Sequence, residues 1–338
     1  MNTTWRFKEG NFDLEKNDIK KSETIIKVLY SCICGTDIHN IEKMIRQNNK
    51  NSIYLGHELV GEIVCKEDSD DFSIGDIVVV NPGINCNECF YCKEGKDTYC
   101  NNRRTYGMST SSELLGGFSK YIPIYKNTKL HKIPENISAK SAVLIEPIAV
   151  IVKAIERFKK NVSDINSKIA IVGLGPIGVI TKIVLDYNGY GNIDLFECNK
   201  KRIEIIKKLY GFVSSDLSDK AVFTEEHKFD VVFDCSGTES GWKNSVDLAK
   251  KGGTIIEIGQ FVSNDINFDL SVICKKDLRI VGSSLAGNEH YISAFNLLSN
   301  KSLGLEKLIT DEFDFELLDK AVEKAKSKNC LKVIIKNW

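Results

Sequence analysis

The pattern of hydrophobic and polar positions changes near residue 149. Before about Tyr125, apolar residues form short β-branched or aromatic runs, which are separated by turn sequences such as Gly75-Asp76 and Pro82-Gly83. Such runs predict β-strands, here at residues 24–30, 59–65, 77–80 and 118–124. We therefore expect a mostly antiparallel β-domain with long loops.

The following segment alternates between strand-like and helix-like patterns. Strands are predicted at residues 169–172, 193–196, 230–234, 254–258 and 278–281, with helices such as 201–209 and 242–249 between them. Alternation of this kind predicts a doubly wound parallel sheet and an α/β fold. The pattern of the last fifty residues predicts two helices and a closing strand at 331–335. These are too few elements for a third domain. We expect domains at 1–148 and 149–285, with residues 286–338 returning to the first.

A glycine-rich turn follows the strand predicted at 169–172. Its G-x-G-x-x-G pattern leads into an apolar helix pattern, and its residues are Gly173, Gly175, Pro176, Ile177 and Gly178. The glycines permit a tight turn, close approach of a pyrophosphate and close packing of helix on strand. The helix N-terminus offers unpaired N–H groups to the phosphates. This context predicts a dinucleotide site.

An acidic residue supports that interpretation. Glu197 ends the next predicted strand, 19 residues after Gly178, at the spacing expected of a ribose-binding carboxylate. A carboxylate there repels a 2′-phosphate, which favours NAD over NADP, although Arg202 lies nearby. Ser236 and Gly259 fall at the carboxyl ends of later strands, where ligands of such sheets bind.

Composition excludes several classes of protein. The 338 residues have a formal net charge of zero and no basic stripe, so nucleic acid is not an expected partner. No apolar run reaches the length of a membrane span, and residues 1–10 lack a signal core. Eleven cysteines without an export signal are not expected to form disulfides. We expect a cytoplasmic protein that binds a small molecule and assembles as a homodimer or homotetramer.

Four cysteines form the most specific motif. Cys86, Cys89, Cys92 and Cys100 lie on short spacers within a loop segment of about 84–102. Four thiolates close a tetrahedron around zinc without an open position, which predicts a structural zinc lobe. An iron–sulfur cluster is an alternative, because four cysteines also hold one.

A second, looser constellation predicts a catalytic metal. Cys34 and the sequence Gly56-His57-Glu58 supply two ligands of types that zinc prefers, but catalytic zinc needs three and an open position. The third ligand is expected to be a carboxylate, either Glu58 or Glu146. Glu146 precedes Pro147 where the two predicted domains meet, near the cleft between them.

These motifs together resemble a zinc-dependent medium-chain alcohol dehydrogenase. The match rests on Cys34-Gly35-Thr36-Asp37-x-His39, Gly56-His57-Glu58, the four cysteines, Ile145-Glu146-Pro147 and the glycine turn, in the order of that family. The resemblance implies a GroES-like catalytic domain and a Rossmann NAD-binding domain. Glu146 stands where alcohol dehydrogenases proper carry a cysteine, which is similar to the sorbitol, threonine and galactitol-phosphate dehydrogenase branch.

The resemblance also implies a reaction. Two zinc ions per subunit and NAD would support oxidation of a secondary alcohol, such as a polyol, a polyol phosphate or a 3-hydroxy amino acid, to a ketone. Thr36 and His39 would carry the substrate proton to solvent, and Glu58 would act at the metal. Alternatives are a simple alcohol dehydrogenase, a non-catalytic NAD(H)-binding protein, or a zinc ribbon that binds nucleic acid. The segments 40–55 and 103–115 are individual and leave the substrate open.

Overall fold

The computed structural model describes residues 2–19, 24–66, 72–110, 114–162, 164–217, 228–261 and 266–338. In the part described before residue 145, the chain forms short strands and three α-helices. The strands are β1 (Asn2–Lys8), β2 (Asn11–Asn17), β3 (Thr24–Cys32), β4 (Tyr54–Leu55), β5 (Glu58–Cys65), β6 (Ile77–Val80), β7 (Gly83–Ile84), β8 (Arg104–Thr105), β9 (Met108–Ser109), β10 (Tyr121–Ile124) and β11 (Leu130–Lys132). The helices are α1 (Gly35–Arg46), α2 (Phe90–Lys93) and α3 (Ala139–Ala142).

The described residues from 145 onward contain a parallel sheet with helices around it. Its helices are α4 (Ile145–Asn161), α5 (Pro176–Tyr187), α6 (Lys200–Tyr210), α7 (Glu239–Leu248) and α8 (Ser271–Lys275). Its strands are β12 (Ile169–Val172), β13 (Ile193–Glu197), β14 (Ser215–Asp216), β15 (Phe229–Asp234), β16 (Ala249–Glu257) and β17 (Arg279–Gly282). The strand order is β14-β13-β12-β15-β16-β17 and every pairing is parallel, so the predicted doubly wound α/β sheet is confirmed.

The C-terminal residues return to the first part of the chain. They form α9 (Asn288–Ser299), β18 (Ile309–Asp314), α10 (Leu318–Lys326) and β19 (Lys332–Lys336). Strand β19 pairs antiparallel with β3 and parallel with β18, which completes a sheet of order β11-β6-β5-β3-β19-β18 with β10 beside β3. The limits given above for the three domains stay predictions.

Among the elements that were not predicted, α1 and β18 lie close to the site or complete its sheet. Helix α1 follows Cys34 and buries Ile41 and Met44 on one face, but its surroundings are rich in polar residues. Strand β18 carries three acidic residues in six positions and buries none of its side chains fully, so it lacks a strand's apolar alternation. Both depend on tertiary packing.

Helix α4 joins the two main sheets. Its buried residues, which include Ile148, Ile151 and Phe158, share one apolar core with Cys32 and Val60 of the first sheet and with Ile171 of the parallel sheet. The N-terminus of α4 therefore lies where the two sheets meet. No helix in the described part of the chain is long and apolar enough to cross a membrane.

Candidate active site

Three predicted metal ligands converge between the start of α1 and the start of β5. The donor atoms of Cys34, His57 and Glu58 all lie within 4.8 Å of one another. Cys34 is half-buried at the N-terminus of α1, whereas His57 and Glu58 are buried at the start of β5. A thiolate, an imidazole and a carboxylate are ligands that zinc accepts at a catalytic site.

Asp37 fixes the two segments that carry these ligands. One carboxylate oxygen of Asp37 accepts the backbone N–H of Cys34 at 2.9 Å, and the other accepts that of Gly56 at 3.2 Å. The second oxygen also lies 3.6 Å from Nδ1 of His57. Because Nδ1 faces a carboxylate, Nε2 is the ring nitrogen left for a metal.

Charge around His57 favours a cation. Burial works against the protonated ring, but the negative charges of Cys34 and Asp37 outweigh it and hold the pKa of His57 well above its usual value. Its Nδ1 has no hydrogen-bond partner among the described residues. The donor set and the negative charges of Cys34 and Asp37 fit a divalent cation such as zinc.

Glu58 is paired with a lysine from the far end of the chain. The ammonium group of Lys332, on β19, donates to both carboxylate oxygens of Glu58, at 2.6 and 2.5 Å, and both side chains are buried. Burial would lower the pKa of Lys332, but the charges of Cys32, Glu58 and Cys34 raise it well above its usual value. Lys332 therefore stays charged and holds the Glu58 carboxylate in place.

Glu146 borders this cluster without belonging to it. It lies in the first turn of α4 and is buried, but its carboxylate is not among the donors grouped with Cys34, His57 and Glu58. Burial raises the pKa of Glu146 to about 7, while the charge of His57 lowers it. Glu146 is thus poised between its neutral and charged forms beside the centre.

Thr36 connects this centre to the parallel sheet. Its hydroxyl lies 3.8 Å from Sγ of Cys34 and donates to the amide oxygen of Gln260 at 3.3 Å. His39 lies one turn further along α1, and its Nδ1 is buried without a hydrogen-bond partner in the described structure. Burial, with the charges of Lys328 and Arg46, lowers the pKa of His39, so the ring is mainly neutral near pH 7.

The four-cysteine lobe is brought together as predicted from its spacing. The donors of Cys86, Cys89, Cys92 and Cys100 lie within 4.8 Å of one another, and all four residues are half-buried. Backbone N–H groups of Cys86 and Cys89 donate to the sulfurs of Cys100 and Cys86 at 3.3 and 3.4 Å. Hydrogen bonds from the backbone of Asn101 and Cys92 lower the pKa of Cys89 to about 6, which favours a thiolate. This set suits a closed tetrahedral metal site.

The glycine turn has the geometry that its pattern requires. Gly173 has a φ of +86°, and a Cβ there would lie 2.9 Å from Cα of Ser236. A Cβ on Gly178 would lie 2.0 Å from the carbonyl oxygen of Gly173, so that position allows helix and strand to pack closely. Gly175 is open, since the nearest atom to a Cβ there is Nη1 of Arg202 at 3.9 Å. Pro176 and Ile177 begin α5, whose N-terminus follows this open position.

Glu197 lies at the carboxyl end of β13 and is almost fully buried. Its carboxylate accepts the backbone N–H groups of Leu174, Cys198 and Asn199, each at 2.9 Å, and lies 3.4 Å from Nη1 of Arg202. Burial would raise the pKa of Glu197, but these donors outweigh it and lower the pKa. Glu197 therefore stays ionised beside the open position of the glycine turn, with Arg202 engaged by it.

The strand ends beyond β12 meet at the same edge. A Cβ on Gly259 would lie 2.3 Å from the backbone nitrogen of Gly237, so this turn needs a residue without a side chain. Ser236 donates its hydroxyl to Asp234 at 2.6 Å. Both predicted positions thus line the carboxyl edge of the sheet, next to the glycine turn.

Sequence reasoning assigned no role to Asp37, Lys332 or Gln260. Asp37 lies inside the Cys34–His39 motif, where a carboxylate beside a metal ligand is a usable signal. Lys332 is a buried charged residue at the start of a strand whose next three residues are apolar, and a buried charge requires a partner. Gln260 gives no comparable signal, because its contact with Thr36 exists only once the two parts of the chain have packed together.

Comparisons with known proteins agree with this geometry. Residues 20–135 match the alcohol dehydrogenase GroES-like domain family, and residues 139–336 match the glucose dehydrogenase C-terminus family. The sorbitol dehydrogenase of Halalkalibacterium halodurans is 29% identical over 324 residues, covering 93% of this chain and 92% of that protein. The D-arabitol-phosphate dehydrogenase of Enterococcus avium is 26% identical over 334 residues, covering 96% of this chain and 93% of its own. A solved alcohol dehydrogenase from Escherichia coli CFT073, in complex with NADH, is 26% identical, with a TM-score of 0.83 and coverage of 99% of each chain.

The fold and the site define an oxidoreductase of the alcohol dehydrogenase type. The chain belongs to the zinc-dependent medium-chain alcohol dehydrogenase family. The match of residues 139–336 to a family of that group by itself covers more than half of the chain. The predicted GroES-like and Rossmann architecture is confirmed.

Proposed function

We propose that this protein uses NAD to oxidise a secondary hydroxyl of a polyol, a polyol phosphate or a 3-hydroxy amino acid to a ketone. The observation that carries the proposal is the cluster of Cys34, His57 and Glu58 beside the carboxyl edge of the parallel sheet. Similarity to sorbitol and arabitol-phosphate dehydrogenases supports a polyhydroxylated substrate.

Two zinc ions per subunit are part of the proposal. Cys34, His57 and a carboxylate would hold the catalytic ion, and the four-cysteine lobe would hold the structural one. When bound, zinc polarises the substrate oxygen and the nicotinamide takes up the hydride. The chain's own residues supply binding, orientation and the path for the proton.

Thr36 and His39 are proposed to carry the substrate proton outward. The Thr36 hydroxyl lies next to Cys34 and is oriented by its hydrogen bond to Gln260, so it can accept and pass on a proton at the metal centre. His39 has a lowered pKa and an unpartnered buried Nδ1, so its neutral ring can accept that proton.

The two glutamates are proposed to share the role of third ligand. Glu58 lies within the donor cluster, but Lys332 binds both of its oxygens. Glu146 lies beside the cluster and has a pKa of about 7, so it can offer a carboxylate when Glu58 stays with Lys332. Carboxylate ligands let coordination expand, which suits a substrate with two neighbouring donor atoms better than ethanol.

NAD is proposed as the cofactor in preference to NADP. The ionised Glu197 carboxylate stands at the end of β13, where it can accept hydrogen bonds from a ribose diol and repel a phosphate. Arg202, which could otherwise bind a 2′-phosphate, is paired with Glu197.

Assembly and location complete the proposal. We expect a homodimer or homotetramer, and the edge strand β17, which exposes Ile280, supports a further contact there. A cytoplasmic location is supported by the cysteines, none of which forms a disulfide in the described part of the chain.

A substrate panel tests the proposal. Initial rates of NADH formation with ethanol, 2,3-butanediol, sorbitol, galactitol 1-phosphate and threonine should show a far higher kcat/KM for at least one of the last four than for ethanol. Ethanol or another primary alcohol as the best substrate would contradict the proposal and place the chain with simple alcohol dehydrogenases.

A further inference from the structure

One lysine of α4 is buried between segments that lie far apart in the sequence. Lys153 is 8% exposed, and its ammonium group donates to Oγ1 of Thr98 at 3.1 Å and to the carbonyl oxygen of Ser284 at 2.8 Å. Both of these partners are neutral. Lysine is rarely buried to this extent unless its charge is paired, and a methionine of similar length would fill the same space without a buried charge. The contacts of Lys153 therefore indicate a role beyond packing.

The segment that Lys153 contacts contains an unusual backbone conformation. Leu285 follows Ser284 and has a φ of +61°, in the left-handed region that leucine rarely adopts. At the other described positions outside glycine, positive φ falls on asparagine or on charged residues. Strain of this kind persists only where the surrounding structure fixes it, and it is found mainly at functional sites.

The strained residue lies in a turn formed by residues 283–287, which is fixed at both ends and in the middle. The backbone N–H of its first residue donates to the last carbonyl oxygen of β16 at 2.8 Å, and that of its last residue donates to Nδ1 of His290 at 2.9 Å. Between these ends, the carbonyl oxygen of Ser284 accepts from Lys153, immediately before Leu285. Loss of the lysine would therefore release the turn at its strained point.

The 283–287 turn follows the carboxyl end of β17, close to the proposed catalytic centre. Strand β17 pairs with β16, and the hydroxyl of Thr36 donates to Gln260, which comes shortly after β16, at 3.3 Å. In the proposed NAD site, the adenosine ribose binds at Glu197 after β13 and the pyrophosphate at the glycine turn after β12. A dinucleotide that continues along this edge brings its nicotinamide to the ends of β15, β16 and β17. The turn therefore borders the nicotinamide end of the site.

We propose that Lys153 is a positioning residue, which keeps the strained 283–287 turn in the conformation that binds the nicotinamide half of the cofactor. A turn that is held in its binding conformation loses little further conformational freedom when the ligand arrives. Lys153 acts through the turn rather than by contact with the cofactor. The inference rests on the proposed function, since it assigns residues to the same NAD site.

Two ligands that differ in the nicotinamide test this assignment. NADH carries it, whereas ADP-ribose has the same adenosine, pyrophosphate and second ribose without it. The Kd of each ligand is measured by titration calorimetry in the absence of substrate. In Lys153→Met, the Kd of NADH should rise about tenfold or more, as expected when a hydrogen bond from a charged group is lost. The Kd of ADP-ribose should change little.

Two control variants separate the contact with Ser284 from the other contacts between α4 and the four-cysteine lobe. Thr98→Val removes the second partner of Lys153, and Arg157→Gln removes a hydrogen bond of 3.0 Å to the hydroxyl of Tyr99. Because both variants keep the bond from Lys153 to Ser284, neither should change the Kd of NADH.

Substitutions of Leu285 test whether the lysine acts through the strained turn. Glycine adopts positive φ freely, so Leu285→Gly should bind NADH as the wild type does, and Lys153→Met should have a much smaller effect in that background. Valine is β-branched and tolerates positive φ least, so Leu285→Val should raise the Kd of NADH and leave that of ADP-ribose. Leu285→Val decides the matter if Lys153→Met does not fold.

The outcomes are distinct. Equal weakening of NADH and ADP-ribose in folded Lys153→Met, or no weakening of either, overturns the role of Lys153 and leaves the proposed function standing. An undiminished effect of Lys153→Met in the Leu285→Gly background, or an unchanged Kd of NADH in Leu285→Val, also overturns it. A wild-type protein that binds neither NADH nor ADP-ribose contradicts the proposed function itself.

Discussion

The two clusters proposed to bind metal are built in opposite ways. The cysteine lobe takes all four donors from one loop, its residues are half-buried, and backbone N–H groups support its sulfurs. The catalytic cluster joins the start of α1 to the start of β5, and its charges are completed by Lys332 from the last strand. One site is local and uniform, whereas the other is assembled from distant segments and balanced by buried charges.

Because of this difference, we expect the two sites to contribute differently to stability and to catalysis. A closed site of four like ligands has no position left for a substrate, so its contribution is to hold the loop in shape. A mixed site with one carboxylate among its donors and a second, titratable carboxylate beside it can change its coordination. The lobe should therefore affect folding, and the assembled cluster should affect turnover.

The largest expected effect is on turnover. Cys34→Ser removes a ligand of the assembled cluster and should lower kcat/KM by roughly a thousandfold or more, since a bound metal supplies several kcal/mol of transition-state stabilisation. Its melting temperature should change little. NADH absorbance and thermal unfolding measure the two quantities. Cys274→Ser, at an exposed position, is the control and should retain activity. An active Cys34→Ser protein would show that Cys34 is not a ligand of the catalytic centre.

The next largest effect is expected when the buried ion pair of Glu58 and Lys332 is broken. Lys332→Met leaves the buried Glu58 carboxylate without its cation and should lower the free energy of unfolding by about 3 kcal/mol or more. Chemical denaturation measures it. Lys140→Met breaks the more exposed pair with Glu312 and should change stability by less than about 1 kcal/mol. Equal effects of the two variants would deny Glu58 and Lys332 a special role.

Disruption of the four-cysteine lobe should lower thermal stability rather than turnover. Cys86→Ser opens the four-cysteine lobe and should lower the melting temperature by roughly 5 °C or more, because metal binding there contributes to folding. At a temperature where the variant is still folded, kcat should stay within a few fold of wild type. A loss of turnover without any loss of thermal stability would reverse the roles assigned to the two clusters.

The preference for NAD over NADP is expected to depend on the contacts that Glu197 makes. Glu197→Gln removes the acceptor for the ribose diol, removes the repulsion of a 2′-phosphate and releases Arg202. The ratio of kcat/KM for NAD to that for NADP should fall about tenfold. Glu204→Gln, exposed on α6, should leave the ratio unchanged. Equal use of both cofactors by the wild-type protein would argue against Glu197 as the selector.

Glu257, unlike Glu58, is a buried carboxyl group without a cationic partner among the described residues. Both carboxylate oxygens of Glu257 are buried without a hydrogen-bond partner in the described structure, and burial, aided by Asp234, raises its pKa to about 9. The folded protein then keeps a proton that the unfolded chain releases above about pH 4.5, so this group lowers stability increasingly from there toward pH 9.

Glu257→Gln should therefore raise the melting temperature by a few degrees at pH 8 and by less at pH 5. Exposed Glu323→Gln is the matched control and should behave as wild type at both values. A Glu257→Gln protein that is less stable at pH 8 than wild type would show that the carboxylate has a favourable partner in solution.

The sequence predicted best what lies close together along the chain. The glycine turn and the cysteine lobe are short motifs, and the strand β12 was predicted with its observed limits because its four residues are all apolar and buried. Helix α1 and strand β18 were missed because their own residues are too polar to indicate them. Lys332 and Gln260 reach the site only through packing between distant segments, which no local pattern encodes.

The number of zinc ions bound by each variant tests the central claim most directly. Elemental analysis of purified wild-type protein, Cys34→Ser and Cys86→Ser should give two zinc ions per chain in the first and one in each variant, with activity lost in Cys34→Ser and thermal stability lost in Cys86→Ser. One zinc ion per wild-type chain, or iron in the cysteine lobe, would contradict the assignment of two unlike zinc sites.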